Sequence, residues 1–306
     1  MQRANPIPPE GGTPSEIIPP EGGTPSEIIP PEGGTPSAIE RNSFMPSFVE
    51  RYGPWALVTG ASSGLGAEFA RQLAVRGLNL VLVARRKDRL DQLAQQLSGQ
   101  HHIQVKTVAA DLSQMDFMSL VRPVTAEIKV GLLINNAGFA LTGSVLSNPL
   151  EKELSQLNVN IRAPLILAHE FGREMLVRRR GGIIFLASIV GFMSAPFMTS
   201  YAATKAWHLF MGEGMWAELK RHGVDVLALC PGTTKTEFGQ VAGTQMSGGM
   251  MPGPVVSLAL EKLGKRPSVV AGWSNRALVL LEKFAPRRLR LLFWAKYFPR
   301  FAKIKV

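Results

Sequence analysis

The stretch Trp55-Ala-Leu-Val-Thr-Gly-Ala-Ser-Ser-Gly-Leu-Gly66 decides the fold class of this chain. Its apolar first half predicts a strand that ends at Thr59, and residues 67–76 after the glycines have helical spacing. Glycines permit a tight turn and let backbone N–H groups approach a pyrophosphate at the N-terminus of the next helix. The stretch therefore predicts the first strand–turn–helix unit of a nucleotide-binding α/β domain.

The glycines of this turn have the spacing G-x-x-x-G-x-G. A glycine-rich turn alone is a weak signal, but a strand before it and a helix after it strengthen the prediction. The residues expected to surround a pyrophosphate are Gly60, Ser62, Ser63, Gly64, Leu65 and Gly66.

The rest of the chain continues the alternation of strands and helices. Further apolar runs predict strands at 78–83, 104–109, 130–134, 182–187, 224–229 and 268–271. Near-continuous apolar strands separated by helices indicate a parallel sheet that is covered on both faces. We therefore expect an α/β fold, a Rossmann-type doubly wound parallel sheet of about seven strands in a single domain. Ligands bind at the carboxyl ends of the strands in such sheets.

The composition excludes several classes of protein. The chain has 306 residues, of which 45% are hydrophobic and 19% are charged, as expected for a globular protein. Cys230 is the single cysteine, so an intramolecular disulfide or a zinc site of paired cysteines is excluded. No metal site is indicated, and the cysteine usage fits a reducing, cytoplasmic location.

The net charge of +11 is unevenly distributed. Residues 283–306 carry eight Lys or Arg and no acid, and they are interleaved with aromatic residues. A basic excess is typical of proteins that contact nucleic acid, an anionic membrane or an anionic cofactor. No nucleic-acid partner is expected, since zinc-finger, RRM and bZIP spacings are absent. Peripheral membrane contact through 286–306 is one hypothesis, and packing on the core or a subunit interface is equally compatible.

Three segments are expected from the composition along the chain. Residues 1–44 contain three copies of Ile-Pro-Pro-Glu-Gly-Gly-Thr-Pro-Ser, starting at Ile7, Ile18 and Ile29, and predict a disordered tail; a start of translation at Met45 is an alternative. Residues 45–285 form the predicted domain, and 286–306 form a basic aromatic tail. The uncharged run 181–204 is not a predicted membrane span, because it contains paired glycines and Pro196.

Arginines follow the second predicted strand, where a carboxylate would bind the ribose 2′-OH of NAD. Arg85 and Arg86 stand there instead, after Ala84. An arginine accommodates a 2′-phosphate through charge-assisted hydrogen bonds, so the sequence favours NADP(H). The alternative is a solvated basic start to the next helix.

Tyr201 and Lys205 are four residues apart on a predicted helix, so their side chains share one face. A neighbouring ammonium favours tyrosinate and is expected to lower the pKa of the phenol, which creates an acid–base group. Ser188 ends the fifth predicted strand, where its hydroxyl can donate a hydrogen bond to a carbonyl oxygen that becomes negative.

Together these residues resemble the short-chain dehydrogenase/reductase family, in its single-domain branch. The resemblance covers roughly residues 55–272, and the joint occurrence of its motifs in order is highly specific. The motifs are Gly60/Gly64/Gly66, Asp111-Leu112, Asn135-Asn136-Ala137-Gly138, Asn160, Ser188, Tyr201/Lys205 and Pro231-Gly232.

The resemblance implies a role for each catalytic residue. Tyr201 would act as general acid/base, Lys205 would lower its pKa and hold the nicotinamide ribose, and Ser188 would polarise the substrate oxygen. Asn160 would hold the water of a proton relay, with Asn158 as the rival candidate. The resemblance places further cofactor contacts at Asp111 and Leu112 (adenine), at Asn136, Ala137 and Gly138 (adenosine ribose), and at Pro231, Gly232 and Thr236 (nicotinamide end).

The implied function is an NADPH-dependent oxidoreductase that reversibly reduces a carbonyl of a hydrophobic substrate. A 3-oxoacyl thioester, a steroid-like ketone and a long-chain aldehyde are the candidate substrates, and residues 238–260, which include three methionines, would form a lid. The alternative is a non-catalytic NADP-binding sensor or scaffold, against which the presence of Ser188 counts. Family members often form homo-oligomers, which is a further expectation.

Overall fold

The computed structural model describes residues 47–243 and 248–301. The expected disordered tail at 1–44 lies outside the described residues. The described strands are β1 (Trp55–Thr59), β2 (Asn79–Ala84), β3 (Val105–Ala109), β4 (Val130–Asn135), β5 (Gly181–Leu186), β6 (Val224–Cys230) and β7 (Ser268–Val270).

The strands form one sheet in the order β3-β2-β1-β4-β5-β6-β7, and each neighbouring pair is parallel. The order reverses between β1 and β4, which is the point where ligands bind in open α/β sheets. The prediction of a doubly wound parallel sheet of seven strands is therefore confirmed.

Helices cover both faces of the sheet. The described α-helices are α1 (Phe48–Tyr52), α2 (Gly64–Val75), α3 (Lys87–His101), α4 (Met118–Thr125), α5 (Leu150–Leu157), α6 (Ala163–Arg178), α7 (Thr199–Leu219), α8 (Phe238–Val241), α9 (Pro252–Lys262), α10 (Trp273–Phe284) and α11 (Arg287–Phe301). One turn of π-helix, Asn158–Arg162, joins α5 to α6.

Alternation along the strands divides the core into two layers. On β1, Ala56 and Val58 face one side and pack in a cluster with Leu73 of α2. Leu57 faces the other side, in a cluster with Phe171 of α6. Continuous burial on both faces explains why the strands have apolar runs without alternation in polarity.

The C-terminal part differs from the expected lid and tail. Within the expected lid, 252–260 belong to α9, where Val255, Val256 and Ala259 are fully buried in the core cluster. Residues 244–247 of that lid lie outside the described residues. The expected tail is helical where it is described, and Phe298 of α11 is buried. None of the described helices has the length and apolarity to cross a membrane.

Candidate active site

The turn after β1 is built so that only glycine fits its key positions. Gly60 and Gly64 have φ of +65° and +58°, a region that other residues rarely adopt. A side-chain carbon at Gly66 would lie 2.3 Å from the main-chain oxygen of Gly60. The helix α2 begins directly after this turn, and the Ser63 side chain makes no capping hydrogen bond. The N-terminus of α2 thus offers backbone N–H groups to a phosphate, which fits a dinucleotide.

Thr59 and Asn136 hold the turn in place. Thr59 Oγ1 accepts hydrogen bonds from the backbone N–H groups of Asn136 and Ala137, both at 3.0 Å. Asn136 Nδ2 donates to the main-chain oxygen of Thr59 at 2.7 Å and to that of Gly60 at 3.3 Å. The Asn136 side chain therefore braces the turn from β4, a role that the sequence did not reveal.

Arg86 lies over the same turn. Its guanidinium donates to Ser62 Oγ at 3.1 Å and to Ser63 Oγ at 2.7 Å. It also pairs with Glu237 Oε2 at 2.8 Å, and Arg89 contacts Glu237 Oε1 at 2.6 Å. One guanidinium and two hydroxyls are thereby gathered at the end of β2, and this donor set fits a 2′-phosphate. Arg85 is exposed beside it.

The residues after β3 separate into two roles. Asp111 Oδ1 accepts hydrogen bonds from the backbone N–H of Ser113 at 2.9 Å and from its hydroxyl at 2.8 Å. This local turn leaves Asp111 half-buried at the carboxyl end of the sheet, where the adenine contact is expected. Leu112 is buried in the hydrophobic core instead.

Ser188, Tyr201 and Lys205 come together at the carboxyl end of β5. Ser188 Oγ donates to the main-chain oxygen of Pro231 at 3.4 Å and accepts from the Val190 N–H at 3.3 Å, and it also hydrogen-bonds the Tyr201 side chain. Lys205 Nζ lies 5.6 Å from the centroid of the Tyr201 ring and donates to the main-chain oxygen of Leu186. The structure therefore brings these three candidate side chains together.

Burial dominates the electrostatics of this group. It raises the pKa of the Tyr201 phenol, and the hydrogen bond with Ser188 opposes that shift only in part. Burial lowers the pKa of Lys205 to about 8. The expected lowering of the tyrosine pKa is therefore not found, because burial dominates, and the phenol holds its proton at neutral pH.

Asn160, rather than Asn158, lies beside the candidate catalytic residues. Asn160 Nδ2 donates to the main-chain oxygen of Phe139 at 2.9 Å and to Thr204 Oγ1 at 3.0 Å, and its Oδ1 accepts from the Phe139 N–H at 3.1 Å. A side-chain carbon at Gly138 would lie 3.2 Å from Asn160 Oδ1 and 3.6 Å from Lys205 Nζ. Asn158 instead donates to Ser113, on the far side.

The residues after β6 border the site from two directions. The main-chain oxygen of Pro231 accepts a hydrogen bond from the Ser188 hydroxyl. A side-chain carbon at Gly232 would lie 2.5 Å from the side-chain amide of Asn275. Thr236 lies against the glycine turn, since a side-chain carbon at Gly64 would be 3.2 Å from its Cβ. These positions suit the nicotinamide end and the entrance of the cofactor turn, respectively.

An apolar cluster surrounds the Tyr201 ring. The ring centroid of Tyr201 lies 5.5 Å from that of Phe238. Phe298 of α11 is buried in the same cluster, and Trp294 packs against it. The other members of the cluster are Ala140, Val190, Ala195, Phe197, Met198, Ala202 and Ala242. The i, i+4 spacing of Trp294 and Phe298 was the available sequence signal for a buried helical face there.

A cavity of about 360 Å³ lies next to this cluster, between α7 and the two C-terminal helices. Ala202 and Trp294 belong to both the cluster and the cavity wall. Glu282 of α10 accepts hydrogen bonds from Trp294 Nε1 at 2.7 Å and from Arg290 Nη1 at 3.5 Å. This nearly buried carboxylate fastens α11 to α10 over the site.

No metal centre accompanies the site in the part of the chain that the structure describes, since no three His, Cys, Asp or Glu side chains there could hold one ion. Cys230 is buried, and burial raises the pKa of its thiol, so it is not poised as a nucleophile.

A glycine turn at a strand–helix junction and a Ser–Tyr–Lys group at the same edge of a parallel sheet define a nucleotide-dependent oxidoreductase. The family model described as short chain dehydrogenase matches residues 54–247. The chain therefore belongs to the short-chain dehydrogenase/reductase family, as its motifs predict.

Two relatives with assigned activities illustrate the similarity. A 7beta-hydroxysteroid dehydrogenase of Mediterraneibacter gnavus is 32% identical over 237 residues, which are 75% of this chain and 90% of that protein. A very-long-chain 3-oxoacyl-CoA reductase of Podospora anserina is 35% identical over 223 residues, which are 69% of this chain and 64% of that protein.

Two solved structures are similar to this chain in both fold and sequence. A structure of 7beta-hydroxysteroid dehydrogenase superposes with a TM-score of 0.76 at 30% identity, covering 81% of this chain and 99% of the other. A short-chain dehydrogenase from Sphingobium yanoikuyae in complex with NADPH has a TM-score of 0.68 at 34% identity, covering 78% and 95%.

Proposed function

We propose that this protein catalyses the NADPH-dependent, reversible reduction of a carbonyl group on an apolar substrate. The observation that carries the proposal is the position of Tyr201, whose hydroxyl is hydrogen-bonded to Ser188 while its ring is surrounded by apolar side chains. A carbonyl oxygen accepting from both hydroxyls would place the rest of the substrate against this apolar cluster.

Each residue has a definable part in the reduction. The Ser188 hydroxyl donates a hydrogen bond to the carbonyl oxygen, which gains negative charge in the transition state. Tyr201, protonated at neutral pH, transfers its phenolic proton to that oxygen. Lys205 contributes a cationic or hydrogen-bonding Nζ beside the Tyr201 ring and the ribose site. When bound, NADPH supplies the hydride, and the N-terminus of α2 together with Arg86, Ser62 and Ser63 would hold its phosphates.

Two lines of support favour NADPH and a large apolar substrate. The Arg86 donor set fits a 2′-phosphate, and the similar Sphingobium dehydrogenase was solved with NADPH. Relatives act, by their names, on hydroxysteroids and on very-long-chain 3-oxoacyl-CoA. We therefore keep a steroid-like ketone, a 3-oxoacyl thioester and a long-chain aldehyde as the substrate classes.

The test is NADPH consumption by the purified full chain against carbonyls of increasing apolar size. We expect kcat/KM to rise with size and to fall by at least ~10³-fold in Tyr201→Phe, because the proton donor is lost. Ser188→Ala should cost ~10²-fold. Tight NADPH binding without turnover of any carbonyl would instead favour the non-catalytic sensor or scaffold.

We also propose that the chain, as a cytoplasmic protein, contacts an anionic membrane peripherally through its C-terminal helices. Two helix faces expose large apolar side chains, each more than half exposed: Trp273, Leu280, Leu281 and Phe284 on α10, and Leu289, Leu292 and Phe293 on α11. Apolar stripes with aromatic residues beside Lys and Arg are typical of helices that lie in a membrane interface.

Charge favours a lipid surface over a second copy of the chain. Glu282 is the one acid in residues 273–306, and it is nearly buried, whereas Arg276, Lys283 and Arg288 are exposed. Two such surfaces facing each other would bring like charges together, while anionic lipid headgroups complement them.

Flotation with vesicles of phosphatidylglycerol and phosphatidylcholine tests this contact. We expect binding that is lost in Phe284→Ser/Phe293→Ser and retained in Leu146→Ser, a control residue that is 96% exposed and lies outside the two C-terminal helices. Absence of flotation, together with a dimer that dissociates in the double variant, would replace the membrane by a homo-oligomer interface.

A further inference from the structure

A proline removes a hydrogen-bond donor next to the catalytic residues. Pro164 stands four residues after Asn160, at the position whose N–H would donate to the Asn160 carbonyl in a regular α-helix. Proline has no N–H, and its ring also crowds the carbonyl four residues earlier. The chain winds as π-helix over Asn158–Arg162 at this point. Asn160 lies in the middle of this turn and is fully buried.

The side chain of His208 in α7 hydrogen-bonds that carbonyl. Its Nε2 lies 2.6 Å from the main-chain oxygen of Asn160, and the residue is fully buried. The imidazole is enclosed edge-on by aromatic rings, with centroids 5.9 Å from Phe185 and 5.3 Å from Trp207. A buried carbonyl without a donor is destabilising, so the hydrogen bond from His208 stabilises the folded chain at this point.

The imidazole is a neutral donor at neutral pH. Burial, and then the charge of Lys205, lowers the pKa of His208 well below its usual value. The main-chain oxygen of Asn160 can only accept a hydrogen bond, so the proton of the neutral imidazole is on Nε2 of His208. Nδ1 of His208 has no hydrogen-bond partner among the described residues. Its hydrogen bond therefore persists across the working pH range.

We propose that His208 is a positioning residue for the reaction, which supplies to the Asn160 carbonyl the hydrogen bond that Pro164 withholds. The bond fixes the π-helical turn so that the Asn160 side chain stays on Phe139 and Thr204. Those contacts hold the Gly138–Phe139 backbone against the Lys205 ammonium. The main-chain carbonyl of Asn160 is accordingly engaged by a side chain in this protein.

The activity readout of this inference rests on the proposed reductase function, so the experiment includes readouts that do not. Four variants are compared with the wild type: His208→Leu, His208→Gln, Pro164→Ala, and the double variant His208→Leu/Pro164→Ala. Each is assayed for kcat, for NADPH affinity by fluorescence titration, and for Tm.

The variants have distinct expected outcomes. His208→Leu keeps the volume but not the donor, and should lower kcat about tenfold, since a misplacement of ~1 Å can cost ~10²-fold. His208→Gln should recover most of that loss, because the Gln amide reaches the position of Nε2. The double variant should also recover, because residue 164 then carries its own N–H. Pro164→Ala alone should stay within about twofold of the wild type.

Matched controls separate positioning from loss of packing. His208→Asn places its amide near Nδ1 and should not recover activity. Leu209→Ala, at a buried neighbour on the same helix, should lower Tm without any rescue by Pro164→Ala. Unchanged kcat in His208→Leu, or failure of both Gln and Pro164→Ala to rescue it, would overturn the inference. If the wild type reduces no carbonyl, the same rescue in Tm and NADPH affinity tests the inference separately from the proposed reaction.

Discussion

Arg86 and Glu237 form an ion pair at the mouth of the cofactor turn, with Nη1 and Oε2 2.8 Å apart, although the two residues are 151 positions apart in sequence. Glu237 also binds Arg89, and these hydrogen bonds, that of Arg86 first, lower the pKa of its carboxyl. The Glu237 carboxylate is thus paired with the Arg86 guanidinium, which is expected to bind a 2′-phosphate. If Arg86 receives the 2′-phosphate, NADPH and Glu237 would compete for the same guanidinium donors.

Glu237→Gln should tighten NADPH binding. The substitution removes a negative charge that repels the 2′-phosphate and frees the Arg86 donors. Because the pair is exposed, we expect a gain in affinity of about two- to fivefold at low salt, which shrinks at high salt. Fluorescence titration with NADPH measures it, and Glu261→Gln, at an exposed glutamate paired with Lys262, is the control. Weaker binding would show that Glu237 orients Arg86 for the cofactor instead.

Arg86→Gln should weaken NADPH binding and change NADH binding little. Loss of a charge-assisted contact to the 2′-phosphate is expected to cost about 10- to 100-fold in KM for NADPH. Arg85→Gln is the matched control, because Arg85 is the exposed neighbour that the sequence could not distinguish from Arg86. If Arg85→Gln weakened NADPH binding more than Arg86→Gln does, Arg85 rather than Arg86 would bind the 2′-phosphate.

Local patterns predicted the parts of the site that lie within one strand–turn–helix unit or on one helix. Gly60, Gly64 and Gly66 are such a pattern, because their backbone geometry is set by their neighbours. Tyr201 and Lys205 are another, because a spacing of four fixes a common helix face. The seven parallel strands were equally visible, since burial on both faces leaves continuous apolar runs.

The contacts that complete the site join residues that no local pattern connects. His208 has no sequence signal of its own; its role depends on Pro164, in a different helix, and on the packing of α7 against the π-helical turn. Phe298 belongs to the Tyr201 cluster on a helix that Glu282 fastens through Trp294, and no local pattern connects these residues. The direction of the shift in the Tyr201 pKa also required the structure, because burial sets that direction and residue spacing does not measure burial.

Lys205 should make the protein more stable as the pH rises from about 8 to 9. Burial lowers the pKa of its ammonium to about 8 in the folded chain, against ~10.4 in an unfolded one. Below pH 8 both states are protonated, and the folded state carries the full cost of a buried charge. Above pH 8 the folded state loses its proton first, so the unfolded state binds more protons and the free energy of unfolding rises.

The slope contributed by Lys205 is expected to approach about 1 kcal/mol per pH unit. Urea unfolding of the wild type and of Lys205→Met at pH 7, 8 and 9 measures it as the difference between the two proteins. The buried tyrosines are common to both proteins, so their titrations cancel. A difference that stays constant with pH would mean that the ammonium remains charged in the folded state.

Phe298→Ala should raise KM for large apolar carbonyls while leaving NADPH binding unchanged. Phe298 is buried in the cluster around the Tyr201 ring, so its removal opens that apolar wall to water. We expect an increase in KM of about tenfold for the largest substrates and little change for the smallest, since the latter need less apolar contact. Phe293→Ala is the matched control, because the same side chain on the same helix is 52% exposed. Equal effects of the two substitutions would show that α11 acts through its overall stability rather than through contact with the substrate.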